Sequence, residues 1–263
     1  MSPDPGNLGA ALVVNGVAGR MGRLVAGALA QAGLGEVAGC DPAGGSLAGI
    51  RMVPDLVGGL REGGVVVDFS HPSATSLLVR AARERQARLV VGTTGQDETQ
   101  LGLLREVAAR VPVVLARNFS LGISRILQVL PQLRVLVADG FDVECMEAHH
   151  RGKRDAPSGT ALALLQTLLG PGDASPRVHG REGRDAARRP GEVGIHSLRQ
   201  GGLPGEHALV WASDHEVVEI RHRALDRTAF VSGVLPAVRF VRSSPPGLYS
   251  MLDVLRHAEA GGT

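Results

Sequence analysis

The chain is poor in cysteine, has no surplus of one charge, and carries no stretch that reads as a leader or an anchor. Its two cysteines, Cys40 and Cys145, stand far apart in segments that read as strands and have no CxxC context, so neither a disulfide framework nor a zinc cluster is expected. Met1 to Asn7 lack the basic and apolar stretches of a secretory leader, and no later run reads as a membrane span. The expected location is a reducing cytoplasm, without a membrane partner. Twenty-eight Lys and Arg against 26 Asp and Glu leave a formal net charge of +2, too little for a general polyanion binder. The densest basic stretch, Arg177 to Arg189, is interrupted by Glu182 and Asp185. It reads as a solvated loop, an interface rim or help for an anionic ligand, and not as a nucleic-acid surface.

Glycine is what the chain has in excess. It supplies 36 of 263 residues, well above the usual share of about 7%. With no collagen-like period and no Gly/Ser linker, that excess points to tight turns and close backbone approaches, both of which a nucleotide-binding α/β protein needs.

The first half alternates strands and helices. Ala10 to Val14 reads as a buried strand, and Asn15 to Gly22 as the turn into a helix whose apolar face is Met21, Leu24, Val25, Ala28 and Leu29. Val37 to Cys40 is the next strand and ends at Asp41 and Pro42. Further strands are expected at Val65 to Phe69, Leu89 to Gly92 and Val113 to Ala116, with helices over Ser73 to Gln86 and Asp97 to Ala109. This alternation predicts a mostly parallel sheet covered on both faces, with the loops of Gly16, Ser70 and Thr93 along its C-terminal edge.

After Asn118 the pattern changes. A helix over Leu121 to Leu133 leads to a strand over Gly140 to Met146 and then to a polar segment. Val193 to Arg199, Ala208 to Ala212 and Val217 to Arg223 read as strands with no regular helices between them, which predicts a second domain of α+β character. Arg227 to Val241 reads as a helix in which Pro236 leaves a kink or an altered boundary. Ser243 to Gly247 reads as a connection, and Leu248 to His257 as the last helix.

Gly16 to Gly22 (GVAGRMG) follows a strand and opens a helix. Its small residues let a backbone approach a pyrophosphate, the helix start offers N–H groups to an anion, and Arg20 adds charge. The spacing departs from the usual fingerprint: Gly16, Gly19 and Gly22 are evenly spaced, with Ala18 inside. Taken alone, an ordinary strand-to-helix turn fits as well. Asp41 ends the second strand at about the 20-residue distance where a carboxylate meets an adenosine ribose, or it simply forms the turn before Pro42. No arginine follows Asp41, so NADH fits, although Arg20, Arg51 or another residue could serve NADPH. Gly92 to Gly95 (GTTG), with Thr93 and Thr94, offers a small polar loop for the nicotinamide. Asp68, Ser70 and His71 occupy a similar strand end, where they serve equally well as turn and cap residues.

Ala148 to Thr160 (AHHRGKRDAPSGT) concentrates the chemistry. A histidine can donate a proton while hydride addition builds charge on its acceptor. Lys153 offers a cation to a carboxylate. Ser158, Gly159 and Thr160, just before the apolar run Ala161 to Leu168, read as a helix N-terminal anion cradle. The histidines can also be structural. Metal-ligand spacing is missing and a lysine stands nearby, so no metal is expected; a nucleophile elbow is missing as well. The residues favour a small anionic substrate.

Seven stretches together resemble the bacterial and plant-type dihydrodipicolinate reductases, also called 4-hydroxy-tetrahydrodipicolinate reductases: GVAGRMG at Gly16, VVDFSHP at Val66, GTTG at Gly92, ARNFSLG at Ala116, EAHHRGKRDAPSGTA at Glu147, GIHSLRQGGLPGEH at Gly194 and GLYSMLDVL at Gly247. The resemblance spans nearly the whole chain. It implies NADH- or NADPH-dependent reduction of 4-hydroxy-2,3,4,5-tetrahydrodipicolinate, a dicarboxylate heterocycle, with release of water, in lysine and diaminopimelate biosynthesis. His149 matches the family's proton donor and Lys153 its partner. His150, Lys153, Ser158, Gly159 and Thr160 match positions around the substrate carboxylates. Gly16, Arg20, Met21, Asp41, Gly92, Thr94, Ala116, Asn118 and Phe119 match cofactor-side positions, beside Gly19, Gly22 and Thr93 of the two glycine loops. The resemblance also implies a Rossmann-like dinucleotide-binding domain from residues 1–118 and 240–263, and a substrate-binding and oligomerisation domain from 119–239 that assembles a homotetramer. Another dinucleotide-dependent dehydrogenase, or an inactive dinucleotide sensor, are the competing readings.

Overall fold

The structure, a computed structural model, describes residues 10–44 and 47–261; the leader reading of Met1 to Asn7 lies outside them. The chain forms two compact units, Met1–Leu121 with Phe230–Thr263, and Gly122–Ala229.

The first unit contains β1 (Ala10–Asn15), α1 (Arg20–Gln31), β2 (Val37–Cys40), β3 (Arg51–Val53), α2 (Leu56–Gly59), β4 (Leu60–Asp68), α3 (Thr75–Arg85), β5 (Arg88–Val91), α4 (Glu98–Ala108) and β6 (Pro112–Leu115). The second holds all but the first residue of α5 (Leu121–Val129), then α6 (Arg134–Ala138), β7 (Asp142–His149), α7 (Gly159–Leu169), β8 (Arg177–Val178), β9 (Val193–Arg199), β10 (Glu206–Ala212) and β11 (Val217–Arg223). The chain then returns to the first unit for α8 (Val234–Ser243), β12 (Gly247–Tyr249) and α9 (Met251–Glu259).

Seven parallel strands form the first sheet, in the order β12-β6-β5-β4-β1-β2-β3. Its central strands are apolar runs because both faces are covered. Leu12, Val14, Val65 and Val67 pack with Val25 and Leu29 of α1, Val238 of α8 and Val254 of α9. Val13, Val66, Leu89 and Val113 pack on the other side with Leu78 of α3 and Leu104 of α4. Burial on two faces is the doubly wound arrangement that the alternating pattern predicts. On α1 the inward face includes Ala26, whereas Ala28 is exposed.

In the second unit, β7 is the middle strand of a mixed sheet, in the order β11-β10-β7-β9-β8. It runs antiparallel to β10 and parallel to β9. One face carries Val143, Cys145, Ile195, Leu209 and Trp211, which pack on Leu164, Leu165 and Leu168 of α7. This is the Rossmann-like α/β unit with a second α+β unit that the sequence leads one to expect.

Several boundaries differ from the expectations. β7 continues through Glu147 and Ala148 to His149, so the first residues of the polar segment lie on a strand. The stretch after Leu121 is no single helix: Pro131 opens a 3-10 turn at Leu130–Leu133 between α5 and α6. Leu121–Ala138 has a mean hydropathy of 1.3 over 18 residues and is, by length and composition, apolar enough to span a membrane, contrary to the sequence reading. Here it is broken into these three pieces, and Ile126, Leu127, Leu130, Leu133 and Val137 pack with the core of the second unit. Pro236 lies in the first turn of α8, where a missing N–H costs nothing, so it shifts the helix start rather than kinking it. The chain re-enters the first unit at Phe230, earlier than the expected Arg239, because Val231, Val234, Ala237 and Val238 belong to that unit's core.

Candidate active site

The period-2 alternation of β7 turns Glu147 and His149 to the same face as Cys145. In the sheet register Arg199 on β9 lies opposite His149, and His207 on β10 lies opposite Glu147. Three neighbouring strands thus bring together four ionisable side chains that are far apart in sequence, Arg199 standing 52 residues from Glu147 and His207 farther still.

The Glu147 side chain is wholly inaccessible. Its Oε2 lies 2.5 Å from Nδ1 of His149. Arg199 grips both carboxylate oxygens, Nη1 to Oε2 at 2.9 Å and Nη2 to Oε1 at 2.8 Å. The Ser158 amide donates to Oε1 at 3.2 Å. Burial pushes the Glu147 carboxyl up, but hydrogen bonds from Arg199, Ser197 and His149 outweigh it and hold the group down at about 2. Burial lowers the pKa of His149; the bond and charge of Glu147 oppose this, and Lys153 and Arg199 add to it. His207, its ring edge-on to His149 at 5.1 Å between centroids, is driven to about 4 by burial first and then by His149. His207 is therefore neutral at physiological pH.

Ser158 links this cluster to α7. Its side chain caps the helix by accepting from the Ala161 amide at 3.1 Å, while its Oγ lies 3.0 Å from Nε2 of His207. Gly159 and Thr160 form the first turn of α7, the end that favours an anion. Lys153 donates to Oδ2 of Asp155 at 2.9 Å, and its amide donates to the His150 carbonyl at 3.1 Å. His150 and Lys153 are half-buried. The second unit thus holds His149, His150, Lys153, Ser158, Gly159 and Thr160 in one short run from the end of β7 to the start of α7, with a proton carrier, a cation and a helix N-terminus.

In the first unit, Gly16 sits at φ +78°, and a Cβ there would come within 2.6 Å of the Phe69 carbonyl oxygen. Only glycine allows that approach. Gly19, which precedes α1, contributes no side-chain cap, so the helix start is open to a ligand's oxygens. Gly16, Gly19 and Asp41 line one cavity of about 320 Å³, with Phe69, Ser70 and Leu77 among its walls. Asp41 accepts from the amides of Ala18 and Ala43, both at 3.0 Å. An uncapped helix start beside a glycine cradle and a carboxylate fits a dinucleotide.

The other cofactor-side residues lie outside that cavity. Arg20 and Thr94 are exposed, and Met21 and Ala116 are half-buried. Gly22 packs against the Gly16 turn. Gly92 stands where a Cβ would meet the Phe69 ring at 2.4 Å, and that ring lies 5.5 Å from the Phe119 ring. Phe119 is a core residue whose carbonyl accepts from the Gly233 amide at 2.8 Å. Thr93 accepts from the Ser70 amide at 2.8 Å, and Asn118 from the Ser120 amide at 2.8 Å. Asn15 and Ser70 both donate to the buried Asp68, at 2.7 and 2.5 Å.

Comparison with known proteins agrees in both halves of the chain. Residues 10–119 match the family described as "Dihydrodipicolinate reductase, N-terminus", and residues 122–255 match "Dihydrodipicolinate reductase, C-terminus". The chain belongs to the dihydrodipicolinate reductase family. Curated relatives include the 4-hydroxy-tetrahydrodipicolinate reductase of Thermomicrobium roseum, 45% identical over 260 residues, covering 93% of this chain and 98% of the relative. That of Alkalilimnicola ehrlichii is 39% identical over 261 residues, with the same coverage of 93% and 98%. A solved dipicolinate-bound dihydrodipicolinate reductase from a Paenisporosarcina species has a TM-score of 0.68 at 22% identity, over 91% of this chain and 96% of that one; at that identity the likeness is one of fold. As a dihydrodipicolinate reductase the chain is an NAD(P)H-dependent oxidoreductase of lysine and diaminopimelate biosynthesis, and it reduces 4-hydroxy-2,3,4,5-tetrahydrodipicolinate to 2,3,4,5-tetrahydrodipicolinate with release of water.

Sequence reasoning gave no role to Glu147, Arg199 or His207, although Glu147 opens the most specific motif. A strand extended by three residues would have exposed the signal, since glutamate and histidine two apart then share a face.

Proposed function

We propose that in this reduction His149 donates the proton and Lys153 assists it, while His150, Lys153, Ser158, Gly159 and Thr160 hold the substrate carboxylates. One observation carries the reading: Nδ1 of His149 is tied to a buried, ionised carboxylate, so Nε2 is the nitrogen left to face a substrate. Lys153 and the start of α7 supply positive charge in the same stretch, which suits a dicarboxylate. The Gly16, Gly19 and Gly22 turn, Arg20 and Met21 at the head of α1, Asp41, and the loops of Gly92, Thr93, Thr94, Ala116, Asn118 and Phe119 would hold the dinucleotide, partly through backbone groups. When bound, the reduced nicotinamide supplies the hydride. This chain's own contribution is then to bind the two carboxylates and to deliver a proton from Nε2 of His149.

In this reading the first unit, residues 1–121 and 230–263, serves the dinucleotide, and the second, residues 122–229, serves substrate and assembly. Exposed Leu198 and Val217 on the second sheet favour association through that sheet into a homotetramer. Two free, buried cysteines suit a reducing cytoplasm.

The test is a coupled assay in which the heterocycle is generated enzymatically and NADH or NADPH oxidation is followed. His149→Ala and Lys153→Ala should each lower kcat by at least about a hundredfold while the dinucleotide KM changes little. Unchanged turnover in both variants would refute the assigned roles. Light scattering of the pure protein tests the tetramer, and a monomer would remove it.

A further inference from the structure

We infer that Glu147, clamped by Arg199, is the positioning residue of this site, fixing the tautomer and the direction of the His149 ring. The inference rests on the reading of His149 as proton donor.

The carboxylate is fully buried yet completely engaged. Oε2 meets His149 Nδ1 and Arg199 Nη1, and Oε1 meets Arg199 Nη2 and the Ser158 amide. Four contacts from three different elements leave it no freedom to rotate. A buried ion pair is weak evidence for stability, because desolvation offsets most of its attraction, and an apolar pair of similar volume often does as well. What the pair supplies here is direction. An ionised carboxylate only accepts, so His149 must carry hydrogen on Nδ1. Its exchangeable proton is then the one on Nε2, on the far side of the ring. Arg199 is further fixed by donating to the Asp155 carbonyl at 2.6 Å, which joins the clamp to the segment that carries Lys153.

The ionisable groups facing His149 come from each element packed around it: Glu147 from its own strand, Arg199 from β9, His207 from β10 and Lys153 from the following loop. Of these, Glu147 alone favours the charged ring. The two members of the clamp therefore act on His149 in opposite senses, whereas a pair that merely staples β7 to β9 would affect the site alike whichever member was lost.

The test has two parts. Nitrogen-15 NMR of the wild-type enzyme, without substrate, should find neutral His149 protonated on Nδ1; protonation on Nε2 would overturn the proposal. In the second part, kcat is followed against pH. Turnover by an acid-form donor falls as pH rises through its pKa. Removing the anion in Glu147→Gln should move that limb to lower pH and reduce kcat about tenfold or more, with the dinucleotide KM unchanged and partial recovery in Glu147→Asp. Removing the cation in Arg199→Gln should move the limb to higher pH. Limbs that stay in place, or shift in the same direction, would reduce the clamp to a structural staple. If Glu147→Gln does not fold, the wild-type tautomer and the Arg199→Gln limb still decide. Undiminished turnover in His149→Ala would count against the His149 assignment instead, and is distinguishable because the tautomer is read without substrate.

Discussion

A Cβ atom on Gly22 would stand 2.0 Å from the carbonyl oxygen of Gly16. Helix α1 is therefore pressed onto the turn that precedes it, so that its first N–H groups face whatever the turn embraces. Gly22→Ala must push the helix off the turn. The expected cost is about 1–3 kcal/mol of stability, seen in urea unfolding, together with weaker dinucleotide binding in titration. Gly27, on the same helix, provides the contrast, because a Cβ there would meet nothing within 4 Å. Gly27→Ala should stabilise by about 0.5–1 kcal/mol and leave binding alone. Equal effects at the two positions would reject the close-approach explanation.

Lys153 and Asp155 form a pair in which the carboxylate is largely exposed. A substrate carboxylate must compete with Asp155 for the lysine. Since pairs of this kind are worth up to about 1 kcal/mol, Asp155→Asn should lower the substrate KM by at most about fivefold with little change in kcat. A raised KM would mean that Asp155 helps to place Lys153 rather than competing for it.

The parts of this molecule that could be read from sequence are those decided locally or by double burial. The runs at β1, β4, β5 and β6 announce themselves because both of their faces are covered. The unread strands β3, β8 and β12 are two or three residues long and lie at sheet edges, where a neighbour's hydrogen bonds, more than intrinsic preference, make the strand. The polar run from His149 to Thr160 was legible as chemistry because its residues are adjacent. The clamp around it was not, because Arg199 and His207 arrive through the register of β9 and β10, which composition does not specify. Asp41 was legible as a strand-end carboxylate, but not as one already accepting from the amides of Ala18 and Ala43.

Glu147 and His207 also make folding sensitive to acid. The Glu147 carboxyl titrates at about 2 instead of 4.5, so its stabilising contribution is present above 4.5 and is lost as pH falls through about 2. Across that window the loss is about 3 kcal/mol. His207, lowered from 6.5 to about 4, resists protonation in the folded state, so stability falls in the same direction between those values. Urea unfolding from pH 7 to pH 2 should therefore show declining stability. Glu147→Gln should flatten the lower part of the curve and His207→Gln the upper part. Curves parallel to wild type in both variants would show that other groups govern acid unfolding.

Asp41 is the residue on which cofactor choice should turn. Its carboxylate is oriented by two backbone amides on the wall of the glycine-loop cavity, and proline follows it where an arginine could have met a phosphate. A ribose 2′-hydroxyl can donate to this carboxylate, whereas a 2′-phosphate brings like charges together. Even the about 1 kcal/mol of repulsion expected at full water screening corresponds to several-fold discrimination, so kcat/KM should be higher with NADH than with NADPH. Asp41→Asn removes the repulsion and weakens the ribose contact at once, which raises efficiency with NADPH and lowers it with NADH. The ratio of the two efficiencies is the measurement that matters, since it cancels any general damage to the fold. A ratio unchanged by the substitution would move the choice of cofactor to Arg20, Arg51 or another cation of the first unit.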